Sequence, residues 1–192
     1  MDIVLKNICK SFDGTEVLKN FSCVFSEGKL NLLEGESGSG KTTVLKLLMG
    51  ILKADDGTIE GIENKRTRAV FQEDRLLLNM SVSVNINLVL EKKISDEEIE
   101  KYLKELNVEA AASEKAGNLS GGMKRRAAVL RAVLAKPDIL VLDEALSGVD
   151  FENAEKTIKF ILENMKGKTI IAATHREELF EGIAYSKVTC KI

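Results

Sequence analysis

The 192-residue chain has a single proline, Pro137, and no Pro-rich or low-complexity stretch, so nothing in its composition marks a linker between domains. Its 3 cysteines, Cys9, Cys23 and Cys190, are scattered and form no CxxC pair. That odd number and wide spacing argue against a disulfide framework or a thiolate metal site, and for reduced thiols in a reducing compartment. No apolar run approaches the roughly 18–20 residues that span a bilayer. The opening Met1-Asp2-Ile3-Val4-Leu5-Lys6 lacks the layout of a signal peptide. A cytosolic location is therefore expected, with any membrane role depending on another chain. Neither sign of charge dominates: the formal net charge is −2 and there is no long basic run, which argues against a partner held by its nucleic-acid backbone. Internal repeats are absent. What is present is an ordinary globular balance, 44% apolar and 30% charged, in a length that suits one domain, residues 1–192, with its own core.

Short apolar runs separated by the turn signals Asp13-Gly14 and Glu27-Gly28 make the N-terminal third read as strands. Leu30 to Leu33 is an apolar strand that stops at Gly35, and a helix is expected from Lys41 to about Leu52. Ser95-Asp96-Glu97-Glu98 has the form of a capping box, and Ile99, Leu103 and Leu106 follow at helical spacing. Residues from about 80 to 135 are expected to be mostly helical, within an inserted helical subdomain at about 73–136. Asp138 to Asp143 and Lys168 to Thr174 read as strands buried on both faces of a parallel sheet, with a helix from Phe151 to Met165 between them. Strands alternating with helices predict an α/β core with a mainly parallel sheet, beside an N-terminal antiparallel β subdomain.

Gly35-Glu36-Ser37-Gly38-Ser39-Gly40-Lys41-Thr42 fits the P-loop pattern G-x-x-x-x-G-K-[ST], in the strand-to-helix context that pattern requires. Glycines let successive N–H groups point into one concavity, and the helix start adds its positive end. Lys41 is placed to reach the β- and γ-phosphates of a nucleotide, Thr42 to ligate Mg²⁺, and Thr43 to extend the cradle. The strand before Asp143 and Glu144 delivers two carboxylates to the sheet edge where open α/β sheets bind ligands. Asp143 suits Mg²⁺, through water, and Glu144 suits a general base for an attacking water. By itself such an acidic pair is equally a solvated turn; the P-loop beside it favours chemistry. His175 is the only histidine. A lone histidine is more often a surface or core residue, but this one leaves a buried strand at the same edge, where neutral imidazole can contact a γ-phosphate.

Asn118-Leu119-Ser120-Gly121-Gly122-Met123 resembles the LSGGQ signature of ABC ATPases, and further family landmarks follow in kind. Val70-Phe71-Gln72-Glu73-Asp74 resembles the Q-loop, Ser147-Gly148-Val149-Asp150 the D-loop and Thr174-His175 the H-switch. Phe12 stands where the family places an adenine-stacking aromatic, with Val17 a weaker neighbour. The likeness runs from about Ile3 to His175. It implies an ATP-hydrolysing subunit that binds ATP and Mg²⁺ and pairs head to tail with a second such subunit, most simply a copy of itself. Each ATP would lie between one P-loop and the Ser120, Gly121 and Gly122 turn of the partner, with Asp150 at the shared interface. Gln72 would ligate Mg²⁺ and sense the γ-phosphate. The stretch Val70 to Leu77 is similar to importer ATPases of the nitrate, sulfonate and taurine type. That likeness implies membrane permease subunits, a solute-binding protein, and a place on the inner face of the cell membrane.

The pattern has departures. Met123 replaces the usual glutamine, Phe12 replaces tyrosine, and Ala145 replaces the proline that often follows the glutamate, which is expected to loosen that loop. Two rival readings are a soluble ABC ATPase serving an assembly without a channel, and an ATP-gated dimerisation switch that does not hydrolyse. Against them stand the missing tandem domain, coiled coil and zinc insertion, and the intact Glu144 and His175.

Overall fold

The computed structural model describes residues 1–73 and 75–190. Strands β1 (Ile3–Phe12) and β2 (Thr15–Phe25) pair antiparallel. Their two-residue turn places Asp13 and Gly14 at φ 49° and 80°, the left-handed geometry a tight hairpin needs. A third strand, β4 (Asp56–Glu60), pairs with the other edge of β1, which the sequence reading had not placed. The register of β1 shifts between Leu5 and Ile8, where Asn7 takes φ 50°. That bulge keeps Ile3, Leu5 and Ile8 all buried.

The second sheet has five parallel strands: β3 (Leu30–Glu34), β5 (Thr67–Val70), β6 (Ile139–Asp143), β7 (Thr169–Ala173) and β8 (Ser186–Thr189). Their order is β5-β6-β7-β3-β8. Alternate residues of the central strands feed two different cores. Ile139 and Val141 of β6, with Ile171 of β7, pack with α1 (Lys41–Leu48) and the antiparallel sheet. Leu140 and Leu142, with Ile170 and Ala172, pack with the helices on the other face. Burial on both faces explains why these strands read as unbroken apolar runs.

Between β5 and β6 lie α2 (Val82–Asn87), α3 (Asp96–Glu105), a short 3-10 turn (Ala116–Asn118) and α4 (Gly121–Leu134). Ser95 caps α3 as expected, its Oγ accepting from the Glu98 N–H at 3.3 Å. The stretch is less helical than the periodicity suggested. Asn107 takes φ 52°, and the Val108 N–H returns to the Leu103 carbonyl, closing the helix. α1 also stops early, at Leu48 rather than Leu52. Gly50 is left-handed (φ 67°), and the Ile51 and Leu52 N–H groups both fold back to the Lys46 carbonyl. Between β7 and β8 the only helical element among the described residues is a single 3-10 turn, Glu177–Phe180. The remaining long helix, α5 (Phe151–Asn164), is capped by Asp150.

All three cysteines are free thiols. Burial, with Cys190 nearby, pushes the Cys23 thiol from its ordinary 9.0 up to about 12. In the folded chain Cys23 stays protonated while an unfolded thiol ionises near 9. Folding stability is therefore expected to fall as pH rises from about 9 towards 12, because the unfolded state binds fewer protons in that window. At pH 8 Cys23 should resist iodoacetamide in the native protein and react readily in urea, with peptide mass mapping as the check.

Candidate functional site

The sheet order places the carboxyl ends of β6, β7 and β3 side by side, and each end carries one part of the site. From β3 the chain enters the loop Gly35 to Gly40, which opens α1. Two glycines there are sterically required. A Cβ on Gly35 would lie 2.4 Å from Ser39 Oγ and 2.6 Å from the Cys190 carbonyl oxygen, and one on Gly40, at φ 84°, would lie 2.8 Å from Leu18. Gly40 is the N-cap of α1 and has no side chain to cap it, so the helix start keeps its N–H groups free for an anion.

Lys41 is buried, and its Nζ donates to the Gly35 carbonyl (2.6 Å) and the Glu36 carbonyl (2.9 Å). The ammonium is thus curled onto its own loop. Thr42 Oγ1 donates to Asp143 Oδ1 at 3.3 Å. Burial at the end of β6 raises the Asp143 pKa from the usual carboxylate value, against the opposing Thr42 hydrogen bond and the charges of Lys46 and Lys41. An ionised Asp143 is therefore short of compensating positive charge. That is the condition a cation relieves.

Glu144 takes φ 49°, a left-handed conformation uncommon for a non-glycine residue, and its N–H donates to the Ala173 carbonyl (2.9 Å). Its Oε1 is buried without a hydrogen-bond partner among the described residues. His175 Nε2 lies 3.7 Å from that oxygen, beyond direct hydrogen bonding but close enough for both groups to address one small molecule. Strained backbone together with an orphaned carboxylate oxygen is characteristic of a working site rather than a solvated turn.

One open cleft of about 470 Å³ collects most of these groups. Val17, Ser37, Gly38, Gly40, Lys41, Thr42 and Thr43 line it together with Gln72, Asp143, Glu144 and His175. Gly35, Glu36 and Ser39 shape the loop without lining the cleft. Phe12 also lies outside the lining; it is 40% exposed, with Lys10 Nζ 5.5 Å from its ring centroid. Asp74, the last residue of the Q-loop likeness, falls outside the described residues.

Residues 18–147 match the family model described as ABC transporter. The chain belongs to the ABC transporter family. "Spermidine/putrescine import ATP-binding protein PotA" of Fusobacterium nucleatum is 32% identical to it over 193 aligned residues, and the protein of the same name from Aliivibrio fischeri is 36% identical. Each alignment covers 92% of this chain but only 51% and 52% of the relative, so the chain spans about half the length of these curated relatives. Both carry polyamine-import names, not nitrate, sulfonate or taurine ones. Among solved structures, a nucleotide-free ATP-binding cassette from an ABC transporter superposes with TM-score 0.79 at 26% identity, covering 98% of this chain and 88% of that one. An ATP-binding subunit of an ABC transporter gives TM-score 0.85 at 21% identity, over 99% and 86%, a likeness of fold alone.

In this ABC cassette the signature turn stands apart from the cleft. Ser120 caps α4, its Oγ accepting from the Met123 N–H at 3.3 Å, and an added Cβ on Gly121 would meet nothing within 4 Å. Ser120, Gly121 and Gly122 therefore present an open helix start that contributes nothing to the chain's own cleft. Asp150 also lies outside the lining, held by the Asn153 N–H (3.0 Å) and side-chain amide (2.9 Å). The sequence reading named Asp150 in its loop and passed over two neighbours. Ser147 lines the cleft. Arg176 donates through Nη1 to the carbonyls of Leu146 (3.2 Å) and Val149 (2.6 Å), bracing the loop after Glu144 in which alanine replaces proline. The signal for Ser147 was its place in the D-loop likeness, and for Arg176 its adjacency to His175.

The donor set suits a magnesium nucleotide. Among the described residues no group of three or more His, Cys, Asp or Glu is placed to cage a metal. Mg²⁺ needs no such cage, because it keeps waters and takes phosphate oxygens with one or two protein ligands. The touching Thr42 hydroxyl and Asp143 carboxylate provide two, and Gln72 lines the same cleft.

Proposed function

We propose that this chain is the ATP-binding and ATP-hydrolysing subunit of an ABC importer, acting as one domain with a helical subdomain at about 73–136. The observation that carries the reading is the convergence, in one cleft, of the P-loop lysine, the Thr42–Asp143 pair and the orphaned Glu144 carboxylate beside His175. Lys41 exchanges its two loop carbonyls for the β- and γ-phosphates, while loop N–H groups fold around them. Thr42, Asp143 and Gln72 would hold Mg²⁺, which, when bound, neutralises phosphate charge. Glu144 takes a proton from the attacking water, and His175 orients that water against the γ-phosphate. Val17 contacts the nucleotide base side. Phe12 swings in to stack on adenine only when nucleotide is present.

The open Ser120 turn supplies the second half of the site. Because it does not line its own cleft, it is available to the ATP held by a second copy. ATP then joins the two chains head to tail, with Asp150 at the seam, and loss of phosphate weakens the joint. The chain offers no helix, among the described residues, that is long and apolar enough to cross a membrane. A membrane permease is therefore the proposed anchor, which would put the chain at the cytoplasmic face. Leu77, Leu78, Met80, Val84 and Leu88, all more than 40% exposed, form an apolar stretch just after the Q-loop that suits such a partner. The import names of the relatives and the likeness of Val70 to Leu77 to nitrate, sulfonate and taurine importers agree on direction. They disagree on solute, a choice that belongs to the permease and a solute-binding protein.

The test is recovery of the tagged chain from membranes in mild detergent. A permease-like membrane protein in stoichiometric amount is expected. Recovery with soluble partners alone would favour the assembly-factor reading.

A further inference from the structure

We propose that Arg125 and Arg131 of α4 are positioning residues that strap the Q-loop to the signature helix, so that any movement of Ser120 is delivered to Gln72. The inference rests on the reading of Gln72 as a metal and phosphate contact, but the strap itself stands on geometry. Arg125 Nη1 donates to the Phe71 carbonyl at 2.9 Å and also to the Gln72 carbonyl. Six residues further along the same helix, Arg131 Nη1 donates to the Arg75 carbonyl at 2.9 Å. Arg75 itself takes a left-handed φ of 46° and lays its guanidinium 3.8 Å from the Phe71 ring centroid. The Q-loop is thus gripped at both ends by one rigid element, and the ends are stacked on each other.

The residue types suit the task. Carbonyls in a loop without ladder partners need donors, and a guanidinium presents several in a fixed fork that one ammonium cannot reproduce. Gln72, which lines the cleft, has its backbone carbonyl inside that grip. α4 begins at the Ser120 cap, so the turn proposed to meet the second copy's ATP and the loop that reaches this chain's own ATP are fixed to one helix. Rotation of α4 on dimer closure then moves Gln72 as a lever, coupling the two nucleotide sites through covalent helix and charge-assisted hydrogen bonds.

The experiment has two arms on the full chain. In the first, amide hydrogen exchange over residues 71–78 is measured without nucleotide in wild type, Arg125→Met and Arg131→Met. Loss of either arginine is expected to speed exchange there by about tenfold, the scale of one charge-assisted hydrogen bond, while the amides of β6 stay protected. Unchanged exchange in a folded variant overturns the strap. Should a Met variant fail to fold, Arg125→Lys serves. Its ammonium ends one bond short of the place that Nη1 holds, so the contacts with the two carbonyls are lost, exchange still rises, and wild-type rates would overturn the proposal. In the second arm the Mg²⁺ concentration for half-maximal ATP turnover is measured in a double-mutant cycle with Gln72→Ala. Arg125→Met is expected to raise it about fivefold in the wild-type background and not at all in Gln72→Ala, because the arginine acts through the glutamine. An equal rise in both backgrounds overturns that route. Failure of the underlying nucleotide reading looks different: turnover is absent even in wild type, while the exchange arm still decides on the strap.

Discussion

Glu144→Gln is expected to stop steady-state ATP turnover while leaving MgATP bound. The side chain sits on a left-handed residue at the end of β6, with a buried oxygen that no described residue satisfies and His175 3.7 Å from it. Glutamine has the same shape and keeps an oxygen in that place, so the cleft is preserved. What it loses is the capacity to accept a proton from water. Removing a general base costs about 10²–10⁴-fold in rate. The P-loop, which does the binding, is untouched, so nucleotide affinity should stay within about twofold of wild type. Phosphate release and nucleotide titration on the same sample check both halves. Turnover near the wild-type rate would move the base elsewhere.

Lys41→Ala gives the complementary result: binding itself is lost. The ammonium is buried and held at 2.6 and 2.9 Å by two carbonyls of its own loop, so it is already paid for in desolvation when nucleotide arrives. Truncating one member of a buried, hydrogen-bonded charge pair costs about 2–5 kcal/mol, which corresponds to about thirty- to several-thousand-fold in Kd. Calorimetric titration with MgATP measures it. The part-buried hydrogen bonds to the Gly35 and Glu36 carbonyls are lost as well, which is expected to lower the thermal stability of the nucleotide-free variant only slightly, because Gly35 is half-buried and Glu36 exposed, so water can replace the donor. Affinity equal to wild type would mean that phosphate is not gripped by this loop.

Much of this was legible in the sequence because the informative residues are local. The loop Gly35 to Thr42 needs glycines at fixed positions for steric reasons that survive in any surroundings, and strands buried on both faces announce themselves as apolar runs. The carboxyl-end placement of Asp143, Glu144 and His175 followed from strands alone. The less legible parts depend on distant partners. β4 pairs with β1 across more than forty intervening residues, and its sequence, Asp56-Gly57-Thr58-Ile59-Glu60, is mostly polar because one face is open. The helix after Lys41 is the exception: it stopped short at a local signal, the left-handed cap at Gly50, which the apolar spacing running on to Leu52 masked. The arginines of α4 carry no such signal in the sequence, since nothing in their spacing says that a loop near residue 72 returns to meet them. The polyamine names of the relatives against the nitrate-type likeness of one segment show the same limit. A short surface loop follows its partner, and the partner proposed above is another chain.

The central claim is that one chain holds ATP and a second chain seals it. The most direct measurement is the solution mass of Glu144→Gln by light scattering, with MgATP and without nucleotide. The account predicts about twice the 21.1 kDa chain mass with MgATP and a single chain mass without it. A single chain mass at saturating, demonstrably bound MgATP would contradict it.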